Sequence, residues 1–179
     1  EMQCIADLAI EHDLVVVTDE VYEHLVFDGA QHIAMASLPG MRERTLSISS
    51  GGKTFNTTGW KVGWLCGPAP LVQAARTAKQ FLTYVAGGPF QPAIALGLGL
   101  PDSFFHGIDT DLQAKRDRLL PGLVQAGFTV YPTSGTYFVT VDIRPLQPDG
   151  DGMAFCRALP GHCRVVAIPN EVLYANKAA

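Results

Sequence analysis

A continuous apolar run, Leu14-Val15-Val16-Val17, stands between polar flanks near the start of the chain. Such a run, without alternation, predicts a strand buried on both faces of a parallel sheet over 14–18. Ahead of it, Met2, Ile5, Ala6 and Ala9 share one face of an amphipathic helix over 1–11. Apolar positions at 45–49 and 62–66 predict two further strands, the last closed by Gly67-Pro68. Leu71, Ala75, Ala78, Leu82 and Val85 recur at helical spacing and predict a helix over 69–85, with Pro70 in its first turn. Residues 90–100 are apolar almost all round and predict a buried helix. Leu112, Leu119, Leu120, Leu123 and Val124 mark the inner face of another over 109–126, with Pro121 removing one backbone bond and kinking it.

Beyond Gly127 the pattern changes. Residues 128–131, 136–143 and 164–168 read as strands and 153–159 as a short helix, with a polar, proline- and glycine-rich loop over 144–152. This order suggests a small α+β domain beside an α/β one.

The chain has 179 residues, 47% hydrophobic and 17% charged, which suits a globular protein. Its net charge of -4 provides no basic footprint for nucleic acid. No apolar run approaches the roughly 20 residues needed to cross a bilayer. Cys4, Cys66, Cys156 and Cys163 have no metal-ligand spacing and read as reduced thiols in a cytoplasmic protein. No metal site is expected.

The chemistry concentrates in two stretches. Lys53 follows a predicted strand and sits among small residues. Gly51 and Gly52 let the backbone turn and leave room for a bulky ligand, while Ser49, Ser50, Thr54, Thr57 and Thr58 offer donors suited to a phosphate. A lysine held there can lose its proton and attack a carbonyl. Upstream, the Val-rich strand delivers Asp19 and Tyr22 at its carboxyl end, where open α/β sheets place ligands. A carboxylate can pair with a protonated pyridine nitrogen, and a phenol can bond the oxygen of the same ring; pyridoxal phosphate offers both.

Asp-Glu-Val-Tyr at 19–22, followed by Ser-Ser-Gly-Gly-Lys-Thr-Phe-Asn-Thr-Thr-Gly-Trp-Lys-Val-Gly-Trp at 49–64, resembles the class I/II aminotransferases of pyridoxal phosphate fold type I. The likeness is closest to their kynurenine-aminotransferase-like branch. Within it, 19–28, Gly-Pro-Phe-Gln-Pro-Ala at 88–93 and Gly-Thr-Tyr-Phe at 135–138 look most like the actinobacterial N-succinyldiaminopimelate aminotransferases. The resemblance implies an α/β fold: the C-terminal part of a large α/β/α cofactor domain over 1–108, and most of a small α+β domain, truncated, over 109–179. It implies Lys53 as the Schiff-base lysine and proton shuttle, Asp19 at the ring nitrogen and Tyr22 at the ring oxygen. Ser50 matches a phosphate-binding serine, and Lys61 stands where many relatives carry a phosphate-binding arginine. Tyr137 and Phe138 line the substrate side or fill the core.

The implied activity is amino transfer from an amino acid to a 2-oxo acid, commonly 2-oxoglutarate, by a homodimer. N-succinyl-LL-2,6-diaminopimelate, in lysine biosynthesis, is the implied donor; kynurenine or another amino acid, or C–S β-elimination, is the alternative. Both ends of the chain look cut. The resemblance places a glycine-rich phosphate turn, a ring-stacking aromatic and an asparagine before residue 1, and a carboxylate-gripping arginine after residue 179. An inactive fragment is therefore a further expectation.

Overall fold

A computed structural model describes residues 1–85 and 87–175. The helix expected at the start is present as α1, Met2–Glu11. Its buried residues, Ala6 and Ala9, join Met35 and Met41 in a small apolar cluster against which Met2, Val16 and Leu38 pack. Ile5 departs from the expected face. It sits at the margin of the stripe formed by Met2, Ala6 and Ala9 and is exposed, as are Leu8 and Ile10. Arg44 ties the end of α1 to the chain ahead of the next strand. Its guanidinium donates to the carbonyls of Ala9 at 3.3 Å and Leu14 at 3.2 Å, and pairs with Asp13 at 2.9 Å. The Ala9 carbonyl also accepts from Leu14 N at 2.8 Å, so Arg44 adds a second donor where the chain leaves the helix. The ion pair to Asp13 is exposed and worth at most about 1 kcal/mol.

Strands β1 (Val16–Asp19), β2 (Thr45–Ser50) and β3 (Gly63–Cys66) form one sheet in the order β1-β2-β3. β1 is parallel to β2, with Val16 opposite Thr45 and Asp19 opposite Ile48. β3 is antiparallel to β2, with Ser50 opposite Gly63. Parallel pairing brings the carboxyl ends of β1 and β2 to the same edge, so Asp19 and Ser50 leave the sheet side by side. The run at 14–18 is not buried on both faces. Val17 is 59% exposed and Leu14 and Val15 also meet solvent, so at least one face of β1 is left uncovered among the described residues.

After β2 the chain makes a single helical turn, α2 (Gly51–Thr54), and a 3-10 turn at Thr58–Trp60 before β3. Helices α3 (Ala69–Leu82), α4 (Phe90–Leu98) and α5 (Asp102–Gln125) follow. α4 was expected to be buried, but only Ile94 is; Leu96 is 78% exposed. One side of α4 supplies its contacts: Ile94 packs on Gly51, and Gly97 lies against the Phe55 ring. α5 begins at Asp102, earlier than its leucine spacing suggested. Its first turn carries Phe104 and Phe105, which meet Phe55 at ring-centroid distances of 6.1 and 6.3 Å, and Phe105 stacks on His24 at 4.5 Å. The helix runs on through Pro121.

Two compact units result. The first is Glu1–Ala114 with Ser134–Tyr137, and the second Lys115–Thr133 with Phe138–Ala179. In the second, β4 (Thr129–Val130) pairs antiparallel with β5 (Val141–Asp142), and Phe128 meets Phe155 of α6 (Gly152–Cys163) edge to face. Asp151 caps α6, its carboxylate accepting from Ala154 N at 2.8 Å. The strand expected over 136–143 shortens to β5, and Thr136, at its expected start, has a left-handed backbone, φ 63°, outside the extended region. No strand forms at 164–168. Arg164 is likewise left-handed, the segment has no partner among the described residues, and Val166 is 81% exposed. Residues 176–179, at the end of the expected small domain, lie outside the described residues.

Candidate functional site

β1 ends on Asp19, whose carboxylate accepts from Val21 N at 3.1 Å and turns the chain out of the sheet. The turn places Tyr22 beside Tyr137, ring centroids 5.3 Å apart and nearly perpendicular at 85°. β2 ends on Ser50, which caps α2 by accepting from Gly52 N at 3.3 Å. One residue further on, Lys53 projects so that its Nζ lies 5.2 Å from the Tyr137 ring centroid. Lys53 also donates to the Tyr137 oxygen, as does the Tyr22 hydroxyl. Of the residues singled out by sequence, Lys53 and Tyr22 thus converge on one phenol. Asp19 is close enough for its charge to act on Tyr22.

The electrostatics follow from that convergence. Burial pushes the Tyr22 phenol up to about 12, helped by its hydrogen bond to Tyr137 and by the negative charges of Tyr137 and Asp19. Burial acts the same way on Tyr137, but the hydrogen bonds from Lys53 and Tyr22 and the lysine's charge outweigh it, leaving Tyr137 below its ordinary value.

Two expectations about the lysine loop are corrected. Gly51 and Gly52 do not leave space for a ligand. A Cβ on Gly51 would stand 2.5 Å from Ile94 Cδ1, and one on Gly52 would stand 3.2 Å from Thr58 Cα, so the protein itself fills that room. The hydroxyls of Thr57 and Thr58 are spent on the loop, donating to the carbonyls of Gly51 at 3.1 Å and Gly52 at 3.0 Å. Ser49 donates to Glu23 at 2.7 Å, and Thr54 is buried. Lys61 ends the 3-10 turn with an unusual left-handed backbone, φ 55°, and is exposed. Its neighbour Val62 accepts from Gly51 N at 3.1 Å, which keeps Lys61 alongside the first turn of α2.

Tyr137 is the member of the cluster that sequence reasoning left between substrate side and core. Its signal is its setting: Gly135 and a strained Thr136 directly precede it. Phe138 belongs to the second unit and is half exposed.

The profile of a family described as "Aminotransferase class I and II" matches residues 1–178. The chain belongs to that family. It is 53% identical, over 94% of its length, to a Mycobacterium tuberculosis protein described as "Probable N-succinyldiaminopimelate aminotransferase DapC", and spans 42% of that relative. A mouse kynurenine–oxoglutarate transaminase 3 is 38% identical over 99% of the chain, again with 42% of the relative covered. The solved N-succinyldiaminopimelate aminotransferase of M. tuberculosis superposes with a TM-score of 0.93 at 50% identity, covering 98% of the chain and 46% of that structure. The fold is accordingly that of the fold-type-I aminotransferases, whose cofactor is pyridoxal phosphate.

The residues present fit that cofactor. An amine, a phenol held protonated and a carboxylate converge from the ends of two parallel strands. Those are the groups that an aldehyde, a ring oxygen and a pyridine nitrogen require.

Proposed function

We propose that the chain carries the lysine side of the active site of a pyridoxal-phosphate-dependent aminotransferase. The observation that bears most weight is the placement of Lys53 Nζ against Tyr137 and, through it, Tyr22, at the strand ends where Asp19 also emerges. When bound, the cofactor supplies an aldehyde that takes up the substrate amine and a ring that draws electrons from the α-carbon. Lys53 would hold the cofactor through its aldehyde and would move a proton at the substrate α-carbon. Asp19 would keep a proton on the ring nitrogen. Tyr22, kept protonated at neutral pH, donates to the ring oxygen. Ser50 and Lys61 take the phosphate; Lys61 gives a point charge where an arginine would give a fork.

In the same reading, residues 1–108 belong to the large cofactor domain and 109–179 to the small one, in a cytoplasmic homodimer. The donor is N-succinyl-LL-2,6-diaminopimelate and the acceptor 2-oxoglutarate, supported by the 53% identity to the mycobacterial relative. Kynurenine is the second reading for the donor, supported by 38% identity to the mouse transaminase.

The test is to add pyridoxal phosphate to the 179-residue chain, reduce with borohydride and map the labelled peptide. Label is expected on Lys53 and lost in Lys53→Ala. Label confined to Lys61 or Lys79 would refute the assignment.

A further inference from the structure

The segment that carries Tyr137 is held in an unusual way. Ser134–Tyr137 belongs to the first unit although the chain on either side of it belongs to the second. It is stitched to the stretch that follows Tyr22: Phe27 N donates to Ser134 O at 2.9 Å, Thr136 N to Leu25 O at 2.8 Å, and Val26 pairs with Gly135 in an isolated antiparallel bridge. Leu25 and Phe27 are buried, so this anchor is firm. Gly135 has no room for a side chain, since a Cβ there would stand 2.7 Å from the Leu25 carbonyl oxygen and 3.7 Å from Val26 Cα. Thr136 then takes a left-handed backbone, φ 63°. For a β-branched residue this costs on the order of 1–2 kcal/mol, and such strain persists only where the surroundings impose it. The residue aimed by that strained turn is Tyr137.

We propose that Tyr137 is a positioning residue for Lys53: the bridge between Leu25–Phe27 and Ser134–Thr136 clamps its ring against the lysine, and its oxygen joins Tyr22 and Lys53 in one hydrogen-bonded chain. The inference rests on the reading of Lys53 as the reactive amine and adds how that amine is aimed. Lysine has a flexible stem and three rotatable donors. An acceptor on one side and a ring face beneath Nζ remove most of that freedom, and misplacement of a reacting group by about 1 Å can cost roughly 10²-fold in rate. The ionisation pattern agrees, because the Tyr137 phenol lies below its ordinary value while Tyr22 lies above.

Two measurements on the full 179-residue chain test it. In a pH titration of tyrosinate absorbance, the wild type is expected to show one phenol ionising below the ordinary tyrosine value of 10.0. That component disappears in Tyr137→Phe and moves upward in Lys53→Met. In borohydride trapping with pyridoxal phosphate, Tyr137→Phe keeps the ring and shifts the pH profile of Lys53 labelling, while Tyr137→Leu lowers labelling several-fold. Gly135→Ala, with Tyr137 intact, is expected to reproduce the upward shift of the phenol; if that variant does not fold, the Tyr137 variants decide alone. Persistence of the low phenol in Tyr137→Phe, or wild-type labelling of Lys53 in both Tyr137 variants, overturns the proposal. The expected titration with no label on Lys53 in the wild type supports the clamp and refutes the assigned chemistry of the lysine.

Discussion

Two phenols whose ring centroids are 5.3 Å apart, with Asp19 acting on one of them, cannot ionise independently. Tyr137 gives up its proton first, because Lys53 and Tyr22 donate to its oxygen, and its charge then holds the proton on Tyr22. For Tyr22 the folded value of about 12 exceeds the ordinary 10.0. Between those values the folded chain retains a proton that the unfolded chain has lost. The stability this confers is complete below pH 10.0 and declines as pH rises toward about 12. Tyr137 acts with the opposite sign at lower pH. Denaturant midpoints measured across this range are expected to fall for the wild type and to fall less steeply for Tyr22→Phe; parallel curves would remove Tyr22 as the cause. Lys53, Asp19 and Tyr22 stand out as candidates in the sequence because each lies at the end of a predicted strand or in a short turn. Tyr137 reaches them from 84 positions beyond Lys53 (137 − 53), and that proximity comes from a backbone bridge that no local pattern announces.

Among the elements, β2 and its turn set the lysine's position. Ser49 and Ser50 lie opposite Trp64 and Gly63 of β3. A Cβ at Gly63 would stand 2.8 Å from the Ser49 carbonyl oxygen, a backbone atom with little room to yield. Gly63→Ala is expected to strain this pairing and destabilise the chain by roughly 1–3 kcal/mol, as read from urea unfolding, and to lower Lys53 labelling with it. A loss below about 0.5 kcal/mol, the ordinary range for surface changes, would show that the strands separate freely. Helical spacing located α1, α3 and the C-terminal end of α5, since a 3.6-residue period repeats over several turns; the start of α5 at Asp102 lies outside the leucine pattern. Strands were less legible: apolar content at 136–143 and 164–168 suggested pairing, but left-handed Thr136 and Arg164 redirect the backbone there. The apolar character of α4 and of the run at 14–18 describes more contact than this chain supplies to them.

At the scale of the whole molecule, the outer strand β1 has one edge without a strand partner among the described residues, with Val17 exposed beside Leu14 and Val15. Such an edge recruits other chains, and a lysine on it discourages pairing. Val17→Lys is expected to raise the soluble monomeric fraction of the 179-residue chain in size-exclusion chromatography with light scattering, without loss of Lys53 labelling. An unchanged distribution would place the association elsewhere. The same three-stranded order has a kinetic side. Among the described residues, β2 is hydrogen-bonded along both flanks while β1 and β3 are each paired along one. In amide hydrogen exchange, the β2 protons are therefore expected to be the slowest of the sheet to be replaced by solvent deuterium; faster exchange in β2 than in β1 or β3 would overturn this order. Lys53 stands three residues past the end of β2 at Ser50 (53 − 50), so the amine proposed to react is mounted on the strand expected to open least often.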